Sequence, residues 1–102
     1  MKRALLIAGI TACCLSTPAL ADGAAEARKA GCTNCHTVDK RVVGPAFKEV
    51  AAKYKGDKEG EAKLLKKVRA GGSGVWGSMP MPPQQIPSDA EIKQILGWVL
   101  GL

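Results

Sequence analysis

An all-α domain of about four short helices is what this sequence predicts. Three observations carry the expectation. Apolar residues recur at i, i+3, i+4 and i+7 in two separate stretches, Phe47 to Tyr54 and Ile92 to Leu100. No run alternates with period 2, and no segment repeats. Glycine and proline cluster between the periodic stretches rather than inside them.

The chain opens Met1-Lys2-Arg3, continues with the apolar run Ala4 to Ile10 and reaches Ala19-Leu20-Ala21 before its first acidic residue, Asp22. A positive start, a short apolar run and an A-x-A site are the order of a signal peptide, so residues 1–21 are expected to be removed. The run is too short to span a bilayer. Ile10-Thr11-Ala12-Cys13 also has some likeness to a lipoprotein processing box, which would lipidate Cys13; cleavage after Ala21 is the preferred reading. The expected mature domain is 22–102, or 81 residues, which is small for a self-sufficient core and calls for a staple.

Within that domain Ala24 to Ala30 reads as a short helix. Asp22 can cap its start, Arg28 and Lys29 suit its last turn, and Gly31 ends it. There follows Cys32-Thr33-Asn34-Cys35-His36, with the only histidine of the chain. Two thiols separated by two residues, with an imidazole next, form the signature of covalent haem attachment. On a helical turn the two sulfurs could add to the two vinyl groups of one porphyrin, and His36 would come up beneath the iron as its axial ligand. Zinc wants four ligands, usually Cys or His, and the mature chain offers only three of those, which nearly excludes it. A thioredoxin-like pair would need a preceding strand, and a helical run precedes this motif. A plain disulfide of an exported protein stays open.

Val42-Val43-Gly44-Pro45 reads either as a simple turn or as a loop returning beneath the cofactor, so that the Pro45 carbonyl accepts the second imidazole N–H of His36. Phe47, Val50, Ala51 and Tyr54 then mark one amphipathic helix. Asp57 or Glu59 opens the next, running to Ala70 with Leu64, Leu65 and Val68 inward, and Gly71-Gly72 ends it. Residues 71–87 form a long irregular segment in which Trp76, Met79 and Met81 sit among four prolines. Such a composition suits a stiff strap laid over a cofactor better than a flexible linker. Ser88-Asp89-Ala90-Glu91 is a capping box that starts the last helix.

The full chain carries 15 basic and 9 acidic residues, a net charge of +6. Removing Lys2 and Arg3 with the leader leaves 13 against 9, near +4. That balance fits attraction to an acidic partner surface or an ordinary soluble surface. One Tyr, one Phe and two Trp, with no basic-aromatic interleaving, argue against nucleic acid as a partner. With His36 on one face of the iron, the other face could take Met81, Met79 or Tyr54, or stay empty.

The segments C-T-N-C-H, V-G-P-A-F-K-E-V-A-A-K-Y, G-G-S-G-V-W-G-S-M-P-M-P-P and the closing W-V-L closely resemble the small class I cytochromes c of bacteria, in order and across 22–102. The resemblance implies about four helices around one covalent haem c, thioether links at Cys32 and Cys35, and iron ligation by His36 and Met81. It also implies that the Pro45 carbonyl receives the imidazole N–H and that Trp76 and Lys67 hold a haem propionate. An arginine is often found at the Lys67 position, and a lysine cannot form the same fork. Gln84 stands where many relatives place an asparagine that touches the Met sulfur, and Met79 replaces a smaller or aliphatic residue. The expected protein is a monomeric periplasmic electron carrier, not an enzyme and not inserted in the membrane, moving one electron between membrane respiratory donors and a terminal reductase or oxidase. Its redox partners would dock through acidic patches. The rival is a haem enzyme or gas-binding protein, peroxidase-like, with an open distal site. If the cofactor is the staple of so small a core, a haem-free Cys32→Ala, Cys35→Ala protein is expected to be largely unfolded; a cooperative thermal melt of that variant would refute this.

Overall fold

The computed structural model describes residues 9, 12, 13 and 22–102. The expected leader lies outside the described residues apart from those three positions, and so does the cleavage point after Ala21. Helix α1 spans Gly23–Lys29, a 3₁₀ turn spans Cys32–Asn34, and α2, α3 and α4 span Phe47–Tyr54, Gly60–Ala70 and Asp89–Leu100. The all-α expectation holds. The one extended pairing among the described residues is an isolated antiparallel bridge between Gly72 and Met81.

Each helix begins where its sequence provides partners for the orphan amides. An Asp22 carboxylate oxygen accepts from the Ala24 amide at 3.0 Å, so α1 starts one residue before the expected Ala24 and Ala30 becomes its C-cap. At α2 the Ala46 side chain cannot cap, and Glu49 instead reaches back to accept from the Ala46 amide at 2.8 Å. Asp57 accepts from the Glu59 amide at 2.9 Å ahead of α3. At α4 the Ser88 hydroxyl accepts from the Glu91 amide at 3.1 Å while the Glu91 carboxylate turns back to Ser88, the reciprocal box read from the sequence. Hydrogen bonds from the Ser88 hydroxyl and amide hold the Glu91 carboxyl below its ordinary value. This cap therefore contributes at neutral pH and is lost as the pH falls through that lowered value.

Helix α4 is the hub, packing against α1, α2 and α3. Its Ile92, Ile95, Leu96 and Val99 are buried, and with Ala27, Phe47, Val50 and Leu64 they form the core. The stripe foreseen on α3 is buried fully at Leu64 only, Leu65 and Val68 being partly exposed. Ile92, 2% exposed, is the largest completely enclosed side chain, and burial of such a residue is worth about 1.5–3 kcal/mol.

The crossing of α1 on α4 depends on Gly23. A Cβ there would overlap Trp98 Cβ and stand 2.8 Å from the Gln94 carbonyl oxygen. Neither atom can rotate away. Gly23→Ala is therefore expected to destabilise the protein by about 1–3 kcal/mol, overriding the better helix propensity of alanine. Denaturant unfolding checks this, and an unchanged or raised midpoint would show that the two helices part without cost.

Candidate haem-binding site

The site begins at a break in α1. Gly31 adopts φ +83°, a left-handed conformation that favours glycine, and turns the chain into the 3₁₀ segment. The Cys35 and His36 amides both donate to the Cys32 carbonyl, at 3.2 and 3.0 Å. Cys32, Cys35 and His36 thus occupy one tight turn, on a 3₁₀ geometry after the helix rather than within it. Both cysteines are free thiols, each partly buried. Before any haem is attached, burial pushes the Cys32 thiol above its ordinary value, against a backbone hydrogen bond that acts the other way.

Three contacts fix the His36 ring. Its Nδ1 lies 2.7 Å from the Pro45 carbonyl oxygen; a carbonyl can only accept, so Nδ1 carries the proton and Nε2 keeps its lone pair free. Phe47 stacks on it with centroids 5.2 Å apart and planes inclined by 23°, and Phe47 is held edge-on by Trp98. Gly44 covers another side of the ring: a Cβ there would stand 2.6 Å from Cε1 and 2.9 Å from Nδ1. The loop is returned to this place by the Gly44 amide, which donates to the Cys35 carbonyl at 2.8 Å, and by the Phe47 amide, which donates to the Thr37 carbonyl at 2.8 Å.

The 72–84 strap lines the same cleft as His36. Gly72 and Met81 exchange both backbone hydrogen bonds, at 3.0 and 2.8 Å, and the Gln84 amide donates to the Val68 carbonyl at 3.0 Å. Gly71, at φ +66°, lets α3 end directly against the strap: a Cβ there would overlap the Met81 carbonyl and approach Pro83 N to 2.8 Å. Met81 is partly buried, whereas Met79 is 64% exposed.

Between these walls runs one cleft holding about 1240 Å³ of non-atom space, counting its open mouth. Cys32, Cys35, His36, Pro45, Lys67, Trp76, Met79, Met81 and Gln84 all line it; Tyr54 does not. Its remaining lining is mostly apolar, including Phe47, Val50, Leu64, Ile92, Ile95, Leu96 and Val99. These residues fit a haem. Two thiols and an imidazole follow one another on one turn, a thioether lines the same cleft, and the rest of the lining is mostly apolar. Among the described residues no group of three or more His, Cys, Asp or Glu converges to hold a bare metal ion.

At the rim, the Arg41 guanidinium donates to the Trp76 carbonyl at 2.6 Å, tying the loop after His36 to the strap across the cleft. Arg41 and Lys53 also lie over the Trp76 ring, 5.8 and 5.3 Å from its centroid. Lys67 is partly buried, and its Nζ lies 3.2 Å from where a Gly72 Cβ would stand. The Gln84 side-chain amide donates to the Pro82 carbonyl at 3.0 Å. Gly44, Phe47 and Arg41 were not singled out by sequence reading as parts of this site. The signal available was the Gly-Pro step after the motif, which reads either as a simple turn or as a loop returning to His36, but which does not say that Gly44 itself lies against the ring.

Because Gly44 has no room for a Cβ, Gly44→Ala is expected to push the His36 ring from its place and to cost about 1–3 kcal/mol. Thermal melts read the stability, and a shifted Soret band of the haem-loaded protein reads the ring. No change in either would mean that the 42–45 loop yields freely.

Comparison with known proteins agrees with this geometry. The family model for cytochrome c matches residues 20–102. The chain is 50% identical over 92 residues to cytochrome c-551 of Allochromatium vinosum, covering 90% of this chain and 97% of the relative. It is 42% identical over 104 residues to cytochrome c-552 of Hydrogenobacter thermophilus, covering 100% and 99%. Among solved structures, wild-type cytochrome c552 of Nitrosomonas europaea superimposes with a TM-score of 0.73 at 45% identity, over 76% of this chain and 95% of that one. The turn of two cysteines and a histidine and the apolar slot suit a family that carries haem c covalently, and the chain belongs to it: a small bacterial class I cytochrome c, an electron carrier.

Proposed function

We propose that this cytochrome c works in the periplasm, after loss of residues 1–21, as a one-electron shuttle between membrane respiratory donors and a terminal reductase or oxidase. Thioethers at Cys32 and Cys35 would hold the haem, and His36 and Met81 would close the two axial positions of its iron. What supports this reading is that the sole imidazole, its Nδ1 engaged by Pro45, lines the same cleft as a methionine whose two backbone groups are bonded to Gly72. When bound, haem c supplies a redox-active iron that takes up and releases one electron.

The polypeptide does the rest. Pro45 keeps the proton on Nδ1, which leaves Nε2 free to ligate and raises its basicity. Gly44 and Phe47 hold the ring plane. Met81 offers a soft, neutral thioether, a ligand that favours ferrous iron and raises the potential. Pro80, Pro82 and Pro83 stiffen the chain around it, so its sulfur need not be reorganised with each electron. Met79, mostly exposed and not backbone-paired, is the weaker candidate. Trp76 and Lys67 would hold a propionate, with Arg41 and Lys53 fixing the indole from its faces. The apolar lining excludes water.

Val42, Val43, Val75 and Met79 are exposed, and all but Val42 line the cleft. With an excess of positive charge, such a rim suits brief, salt-sensitive encounters of the monomer with an acidic patch on a redox partner. Among the described residues no helix is long and apolar enough to cross a membrane.

An absorption spectrum of the exported protein in both redox states tests the reading. The oxidised form is expected to show a sulfur-to-iron charge-transfer band, and the reduced form to bind CO only slowly. Met81→Ala should abolish the band completely and open the iron to CO; Met79→Ala should leave both as they were. The reverse pattern would transfer the ligand role to Met79. Rapid CO binding by the unsubstituted protein would favour instead a haem enzyme or gas-binding protein with an open distal site.

A further inference from the structure

Arg69, in the last turn of α3, lies outside the cleft lining yet holds the strap that carries Met81. Its Nη1 donates to the Gln84 carbonyl at 2.9 Å, while Nε and Nη2 both donate to one Asp89 carboxylate oxygen, at 3.0 and 2.6 Å. The preceding residue, Val68, accepts from the Gln84 amide at 3.0 Å. Two consecutive residues of α3 therefore grip Gln84 by both its backbone groups.

We propose that Arg69 is a positioning residue for Met81, setting how firmly the methionine is held against displacement from the iron; this rests on the axial role proposed for Met81. Only Pro82 and Pro83 separate Met81 from Gln84. Their fixed φ angles make that step stiff, and they have no amide with which to find another anchor. Upstream, the strap is fixed by the Gly72–Met81 pairing. Downstream, it is fixed at Gln84. With one anchor weakened, Met81 can swing about the other.

The two arms of the guanidinium do different things. Asp89 is 65% exposed and Arg69 31%, and an ion pair with so exposed a partner contributes little stability. Its use is geometric: engaging Nε and Nη2 leaves Nη1 aimed at the Gln84 carbonyl. A charge-assisted bond to that carbonyl is the stronger hold.

Competition by imidazole for the iron of the oxidised, haem-loaded protein separates these contributions. Imidazole is small and its neutral form is not steered by the lost charge, and the loss of the sulfur-to-iron band reports displacement of the methionine. Arg69→Met is expected to raise the apparent imidazole affinity about 3- to 10-fold. Asp89→Asn, which leaves the Gln84 bond in place, should change it less than about 2-fold. Arg69→Lys should fall between, since an ammonium cannot reproduce the fork. A purely structural role predicts a lower melting temperature for Arg69→Met with unchanged imidazole affinity, and that result overturns the proposal. So does an Asp89→Asn effect as large as that of Arg69→Met. If Arg69→Met does not fold, unchanged affinity in Arg69→Lys overturns it equally. Absence of the sulfur band from the unsubstituted protein would defeat the axial assignment of Met81 first, an outcome distinct from a failure of Arg69.

Discussion

The physical constraint on which this structure depends is a shared wall. Among the described residues, ten hydrophobic side chains are buried, and all but the three alanines Ala27, Ala46 and Ala51 also line the cleft. The core is therefore one layer thick between the helices and the slot. A domain this small cannot bury enough apolar surface by closing on itself. A flat, apolar haem held in the cleft would supply the other half of the core. The same side chains that hold α4 against its three neighbours would keep water from a bound haem iron, so stability and redox environment would be set together.

The two walls of the slot are rigid for different reasons. On the His36 side, rigidity comes from short-range contacts: a carbonyl, a stacked ring and a position without a side chain, all within eleven residues of the imidazole. On the Met81 side, there is no regular structure to lean on. The strap is held by prolines that restrict it, by a single bridge to Gly72 and by α3, which grips it at Gln84. One wall is built by local folding and the other by anchoring a loop at its ends. The Arg41 bond to the Trp76 carbonyl then joins them at the rim.

Much of this was legible in the sequence because it is local. Helical period, the Asp22 cap and the Ser88–Glu91 box each fall within a few residues, and the elements appear where they were expected, to within a residue at α1. The spacing of Cys32, Cys35 and His36 announces its chemistry without a structure. The proline-braced methionines marked the strap. What was not legible lies between segments. Phe47 was read correctly as an inward residue of α2, but helical period cannot say that its neighbour is an imidazole. Arg41 meets Trp76 across 35 residues, and Arg69 meets Gln84 across 15. No periodicity links such pairs. Tyr54 could be weighed as a ligand from composition alone, and only the packing of α2 takes it away from the cleft.

Gly44 illustrates what this construction means for mutation. Nearby Val42 is 60% exposed and lies outside the cleft lining, so it can be exchanged with little effect on packing. Every alternative to glycine at position 44 carries a Cβ, and a Cβ there meets the imidazole. No conservative replacement exists, whatever the polarity or size of the newcomer. A random walk through sequence space can thus move freely at Val42 and is stopped two residues later, at a residue that contributes no atom of its own to the chemistry.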